Sequence, residues 1–451
     1  MNHELRPNMM LKQLVLTCFA IVLLTPTLSF GSEEVVSIHD TVQKAVKQHP
    51  QIKAILHNRE AISNNLAAAI GRFLPSLDLA SDFGLQKYNS QTTRTAGNED
   101  RTRTASDSTV TITQNVFDGM DRLNNYRGSQ ARLTSAEYRL IDTVEAVALD
   151  SIRAHLDVAR ERTLLQLAEE NVVTHEEVLD SIVERVSGGA GSKADEMQAR
   201  GRVARAKSTL ITYTQSLHTA EAEYIRQTGE APKELITPEE QLEAAPKSLN
   251  AAIELTMDGN PKIKAADADI VALEKDKKVQ QASFYPTVDI ELSSRNTNNL
   301  DGSNTYLRDD RAMLAMSWNI FNGGSDYKTA QAADQRVKEA ESLRQDTIED
   351  LVRQTATAWA EYEAAVGQIE MHAEALQYSI QSRDMYMMQF NVGQRSLLDV
   401  LDSINEVFSN SVLLETANSN HVFSLYKFLA LEGELIKRLQ ISEKAYDTMP
   451  N

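Results

Sequence analysis

The chain has 451 residues, with 46 Lys plus Arg against 64 Asp plus Glu and a formal charge of −18. That acidity excludes a binder of nucleic-acid phosphate, which needs a net positive footprint. Low aromatic content and long Ala-, Leu-, Glu- and Gln-rich stretches favour extended helices over a Gly-rich enzyme core, and the single cysteine, Cys18, leaves no disulfide framework.

Residues 1–31 read as a secretory signal. Arg6 and Lys12 precede an apolar run, Leu14–Leu24, too short to span a bilayer, and Ser29 and Gly31 supply small residues before cleavage. Cys18 falls inside this segment, so the exported chain carries no thiol. An exported, acidic, cysteine-free protein is periplasmic or built into an outer membrane by strands.

From residue 32 onward one unit occurs twice. SIHDTVQKAVKQHP (37–50) matches SLNAAIELTMDGNP (248–261), and RFLPSLDLASDF (72–83) matches SFYPTVDIELSS (283–294), both at an offset of 211. NVFDGMD (115–121) matches NIFNGGS (319–325) at an offset of 204, which persists to Asp195/Asp399 and Gly229/Gly433. The first repeat occupies 32–230 and the second 248–434; 231–247, with Pro232, Pro238 and Pro246, links them, and 435–451 is a C-terminal tail.

Each repeat opens with a short helix (38–48; 249–259) that ends at His49-Pro50 or Asn260-Pro261, where proline starts the next helix and Asn260 caps it. Period-two alternation then predicts strands over 75–88 and 107–117, and over 286–295 and 311–321. Leu77, Leu79, Val288, Ile290, Leu314 and Trp318 lie on apolar faces, and the strand connections are long and polar. Trp318 and Tyr306 suit an aromatic girdle. Long helices follow over 120–186 and 325–390, each on the order of 100 Å, with alanine-rich stripes suited to coiled-coil packing. Tight turns at 187–192 and 391–396 lead to return helices over 193–229 and 397–433.

Four strands of about ten residues have the length of tilted barrel strands, yet bacterial barrels need at least eight. If they span, the chain oligomerises: a dimer supplies eight strands and a trimer twelve. Otherwise their apolar faces need a protein cover, as in a soluble periplasmic coiled-coil tether. No nucleophile elbow, P-loop, dinucleotide fingerprint or histidine metal spacing is present, which argues against an enzyme.

The paired HP/NP breaks, the strand pairs closing in NVFDG and NIFNGG, and above all FNVGQRSLLDVLDS (390–403) resemble the TolC family of outer-membrane export channels. The resemblance covers nearly the whole exported chain. It implies an α+β membrane protein: a homotrimer whose twelve-stranded β-barrel, four strands per chain, sits in outer-membrane lipid and continues as a helical coiled-coil tunnel in the periplasm. It also implies a passive duct without cofactor, working with a periplasmic adaptor and an inner-membrane transporter, either ABC-type or proton-driven. The glycine-rich GAGSKAD segment (189–195) resembles the branch serving type I protein secretion more than the drug-efflux branch.

Asp399 and Asp402 lie on one helix face, and the resemblance places them at the narrowest periplasmic aperture. Ser396–Asp399 also fits a capping box, as does Ser192–Asp195, whereas Asp402 lies too far along to cap. The resemblance further assigns Arg395, Asp195 and the aromatic position Phe390 to the closed-state latch. Phe390 lacks a hydroxyl, which predicts a different latch, with Lys193 or a neighbour's Arg395 as partners for Asp195. Gly188, Gly189, Gly191 and Gly393 permit the tight turns, where the resemblance also docks the adaptor.

Overall fold

A computed structural model describes residues 35–236, 245–442 and 444–447. The predicted signal at 1–31 and part of the 231–247 linker lie outside the described residues. The elements run β1 (Val35–Val36), α1 (Ile38–Gln48), α2 (Pro50–Gly71), β2 (Ser76–Lys87), α3 (Gln91–Thr95), β3 (Thr102–Phe117), α4 (Asp121–Ser187), α5 (Lys193–Thr228) and β4 (Glu234–Leu235). The second half repeats them as α6 (Leu249–Gly259), α7 (Pro261–Gln281), β5 (Thr287–Asn298), β6 (Tyr306–Ser317), α8 (Ser325–Asn391) and α9 (Leu397–Glu432). Short helices α10 (Leu435–Arg438) and α11 (Lys444–Asp447) follow.

Local chemistry sets these boundaries. Ser37 and Asp40 close a reciprocal capping box at α1. At the break before α7, Asn260 Oδ1 accepts from the Lys262 N–H at 2.9 Å while its Nδ2 donates to the Leu431 carbonyl at 2.8 Å. One asparagine thus caps a helix and pins it to α9. Both return helices end on left-handed glycines, Gly229 (φ 75°) and Gly433 (φ 71°).

The strands form one antiparallel sheet in the order β2-β3-β5-β6. Three strands, β3, β5 and β6, differ from the sequence expectation for one reason, which is partner availability; β5 runs to Asn298 rather than 295. β6 starts at Tyr306 rather than 311, because Tyr306, Arg308 and Asp310 stay laddered to Asn298, Asn296 and Ser294 although their polar side chains give no alternation signal. It stops at Ser317 rather than 321, because Ser317 faces Thr287 and Pro286 ends the neighbouring strand. β3 likewise begins at Thr102, opposite Lys87. The connections are therefore shorter than predicted, and the first contains α3.

Register sorts the side chains. Leu77, Ile112, Leu292 and Ala312 form one rung, with Leu79/Val110, Ile290/Leu314 and Val288/Met316 beside it on the same face. Leu77, Leu79 and Leu314 are 70–72% exposed, so nothing among the described residues covers that band. The opposite face carries Asp78, Asp82, Asp107, Asp289, Glu291, Arg295 and Arg311, with an Arg295–Asp107 ion pair at 2.6 Å. Among the described residues no helix is long and apolar enough to cross a membrane.

Below the sheet α4 and α8 each extend 67 residues, about 100 Å at 1.5 Å per residue. α4 packs along α5, and α8 along α9; α4 also packs on α9, which makes α4 and α9 the inner pair and α5 and α8 the outer pair. Small residues line the seams, with Ala148, Ala168, Ala199, Ala358 and Ala365 almost fully buried. The main core lies where α1 and α2 meet α4, α9 and the C-terminal segment, around Val42, Ile52, Ile152, Leu429 and Leu435. Its counterpart in the second repeat gathers Ile263, Leu351 and Phe428 between α6, α7, α8 and α9.

Glu145 ties the C-terminal segment to this core. Its buried carboxylate accepts from the Leu435 and Ile436 N–H groups at 3.2 and 3.3 Å, yet desolvation outweighs those bonds and pushes its pKa up to about 8 from 4.5. Folding therefore favours protonated Glu145, and its contribution to stability, complete below pH 4.5, is lost as pH rises through about 8. We predict that Glu145→Gln flattens the fall of thermal stability over that interval. Parallel pH profiles for variant and wild type would contradict the assignment.

Candidate functional site

The two hairpin tips are built alike. At the second, the Gly393 N–H donates to the Phe390 carbonyl at 3.0 Å and the Gln394 N–H to the Gln389 carbonyl at 2.9 Å, with Gly393 left-handed at φ 78°. At the first, Gly189 and Ala190 repeat the pattern onto Val186 and Arg185. Gly188 itself is right-handed and serves as the helix C-cap. Gly191 is needed for space, since a Cβ there would sit 2.8 Å from Val186 Cγ2.

Neither Ser-x-x-Asp segment forms the reciprocal box expected from sequence. Ser396 Oγ accepts from the Asp399 N–H at 3.2 Å, but the Asp399 carboxylate turns to Arg395, Oδ2 to Nε 3.7 Å. That distance is an ion pair rather than a hydrogen bond. Ser192 caps through the Ala194 N–H at 3.1 Å, bypassing Asp195. Nor does Lys193 pair with Asp195. Its ammonium meets Glu196 at 2.5 Å, and Arg200 reaches the same carboxylate at 2.9 Å. These two cations hold the Glu196 pKa below its ordinary value. Glu196, itself in the first turn of α5 and 5% exposed, would otherwise lack a partner.

Arg395 is held by stacking as well as by charge. Its guanidinium lies 3.8 Å from the centroid of the Tyr386 ring, one turn before Phe390. Phe390 takes a different cation: Arg185 of the first hairpin sits 4.5 Å from its ring and donates to its carbonyl at 3.3 Å. Two arginine–aromatic contacts thus fasten the tip, one within the second hairpin and one between hairpins. Beneath them Val178, Ile182, Ala199, Leu397, Val400, Leu401 and Ile404 form a separate apolar cluster.

Asp399 and Asp402 both remain substantially exposed at the start of α9, with side chains 43% and 56% accessible. They are not equivalent. Asp402 bonds Arg202 of α5, Oδ1 to Nη2 2.5 Å, across the two hairpins. Sequence reasoning missed Arg202, Arg185, Tyr386 and Glu196. Tyr386, four residues before Phe390 on a helix, is the one that spacing alone could have flagged.

Comparison with known proteins agrees with this architecture. The family model described as outer membrane efflux protein matches residues 41–230 and 252–423, one span in each repeat. The chain belongs to the outer membrane efflux protein family. The outer membrane efflux protein BepC of Brucella suis is 23% identical over 92% of this chain and 90% of its own length. The outer membrane protein TolC of Escherichia coli is 20% identical over 87% of this chain and 81% of its own. A membrane protein of Pseudomonas aeruginosa superposes with a TM-score of 0.78 at 17% identity, covering 88% of this chain and 90% of that one. As a family member the chain is an outer-membrane protein, and the family is one of channels rather than enzymes.

The tip geometry makes a local prediction. Gly393→Ala forces a side chain into the left-handed region at a cost of about 1 kcal/mol, so amide hydrogen exchange across 385–400 should accelerate about fivefold. Gly201→Ala, in open space on a helix interior, should leave exchange at its own tip unchanged or slower. Equal protection in Gly393→Ala and wild type would remove the strained turn from the account.

Proposed function

We propose that this chain is the outer-membrane exit duct of a tripartite export system, a homotrimer that passively conducts substrate from an inner-membrane transporter and periplasmic adaptor to the outside. The observation that carries the reading is the four-stranded sheet with an uncovered apolar face and two free edges, β2 and β6. In lipid an open edge leaves unpaired N–H and C=O groups, so the sheet is stable there only as part of a closed barrel. Three copies supply the twelve strands that the family resemblance implies.

The helices favour the same assembly. On α5, Met197, Ile211 and Ile225 recur at multiples of seven and are 50%, 71% and 44% exposed. On and just beyond α8, Met371, Tyr378, Met385 and Val392 recur every seven residues and are 48–70% exposed. These are unpaired heptad seams on opposite outer helices of one chain. A neighbouring copy supplies the complement to each, and head-to-tail pairing by rotation closes a ring.

In this assembly Asp399 and Asp402 from three copies put six carboxylates around the periplasmic entrance, where they favour cations and repel anions. Arg395 and Phe390 belong to the tip contacts, Asp195 is left for the Arg395 of a neighbouring copy, and the turns at Gly188, Gly189, Gly191 and Gly393 offer the adaptor its docking points. For cargo, the GAGSKAD tip supports type I protein secretion through an ABC transporter. Small-molecule efflux is the second reading, favoured by the likeness to BepC, an outer membrane efflux protein.

Planar-bilayer recording tests the duct. Wild type should give small, cation-selective currents, and Asp399→Ala/Asp402→Ala should conduct more and discriminate less. Unchanged selectivity would return both acids to a structural role, and silence of protein verified as inserted would favour the soluble tether.

A further inference from the structure

The ion pair between Arg202 and Asp402 has a neighbour that the duct reading does not use. His175 on α4 is 3% exposed, and its Nδ1 has no hydrogen-bond partner among the described residues. One turn earlier, buried Asn171 has its Oδ1 in the same condition. A buried imidazole without a carboxylate partner is held neutral by desolvation first, and then by the nearby Arg202 cation, so its pKa lies below the ordinary 6.5. Charged groups on the surrounding elements are Glu176 and Glu177 on α4, Arg202, Arg205 and Lys207 on α5, and Asp402 and Glu406 on α9. Lys207 and Glu176 neutralise each other at 2.7 Å, and the charge felt by His175 is that of Arg202.

The Arg202–Asp402 bond crosses between helices that otherwise scarcely touch. Beside it stand the Tyr213–Phe408 edge contact at 6.1 Å and the packing of Ala199 in the apolar cluster with Leu397, Val400 and Leu401. The arginine is 22% accessible and the aspartate 56%, so the bond sits at the boundary between seam and solvent.

We infer that Arg202 is a positioning residue that draws Asp402 and the second hairpin against the first in the closed tip, and that His175 is its acid release. The inference rests on the reading of Asp402 as an entrance residue. A proton on His175 sets a second cation beside Arg202 in a poorly solvated seam. Repulsion is relieved when α5 and α9 separate, which also lets water reach the imidazolium. The separated state therefore binds the proton more tightly than the closed one, and acid shifts the population toward it. Asp402 is then no longer neutralised from within its own chain.

The test is bilayer conductance of the full chain at about pH 7.5 and about pH 5.5, a window that spans imidazole titration while staying above the ordinary carboxylate range. Wild type should conduct about fivefold more at the lower pH, the population shift expected from releasing one partly exposed ion pair. His175→Gln, neutral throughout, should stay at the high-pH level. Arg202→Gln should conduct at the open level at both values, while Arg202→Lys, which keeps the cation, should stay closed at pH 7.5. Thermal unfolding and insertion of each variant are measured alongside, so that a misfolded variant is replaced by His175→Phe or Asp402→Asn, for which the same respective outcomes are expected. If all variants conduct with one common pH profile, the latch is overturned and the duct stands. If none conducts although insertion is verified, the duct reading fails and the latch with it.

Discussion

An unpaired peptide group has no partner in hydrocarbon, and that constraint organises this molecule. Among the described residues β2 and β6 each leave one side of their backbone without a ladder partner, while Leu77, Leu79, Leu314 and Met316 stand 64–72% exposed on a contiguous face. Neither feature suits an isolated soluble chain, and each calls for what the other needs. In the proposed duct, lipid covers the apolar band and neighbouring strands close the edges. The duplication supplies two hairpins per chain, too few for a barrel alone, so the proposed duct requires several copies.

The same logic continues downward in another currency. Helices satisfy their own backbone, so the periplasmic part needs neighbours for side chains rather than for peptide groups. α4 is buried on several sides and α8 on fewer, a difference that their identical lengths do not reveal. Inner seams are filled by alanine, serine and valine, which bring helices close. Outer seams keep methionine, tyrosine and isoleucine at heptad spacing, ready for a copy. At the tips, arginines lie over aromatic rings and pair with acids. Such contacts are individually weak and partly hydrated, which suits a region proposed to open.

Much of this was legible in the sequence, for identifiable reasons. The helix breaks at His49-Pro50 and Asn260-Pro261 were readable because proline has one natural place at a helix start. The long helices matched to within a residue at each end, since their limits are fixed by Gly119, Gly188, Gly323 and Gly393 around the turns. Strand ends were less legible. Tyr306–Asp310 is strand because its backbone has a partner, and polar alternation carries no record of that. The tip was legible as a motif but not as a set of contacts. Spacing puts Asp399 and Asp402 on one helix face and the family resemblance assigns them to the aperture, whereas Arg202 lies 200 residues away and meets Asp402 through the packing of two hairpins. The capping boxes failed for a related reason: Asp399 found a cation in Arg395, while Ser192 capped a different amide.

The central claim is that the open sheet is one third of a barrel, and the number of chains decides it. Native mass spectrometry of the protein released from lipid nanodiscs counts them directly. The account predicts a single dominant species of three chains, retained at activation energies that strip lipid. A dimer would close eight strands and contradict the twelve-stranded duct, and a monomer inserted in lipid would contradict the constraint on which the whole structure is argued to depend.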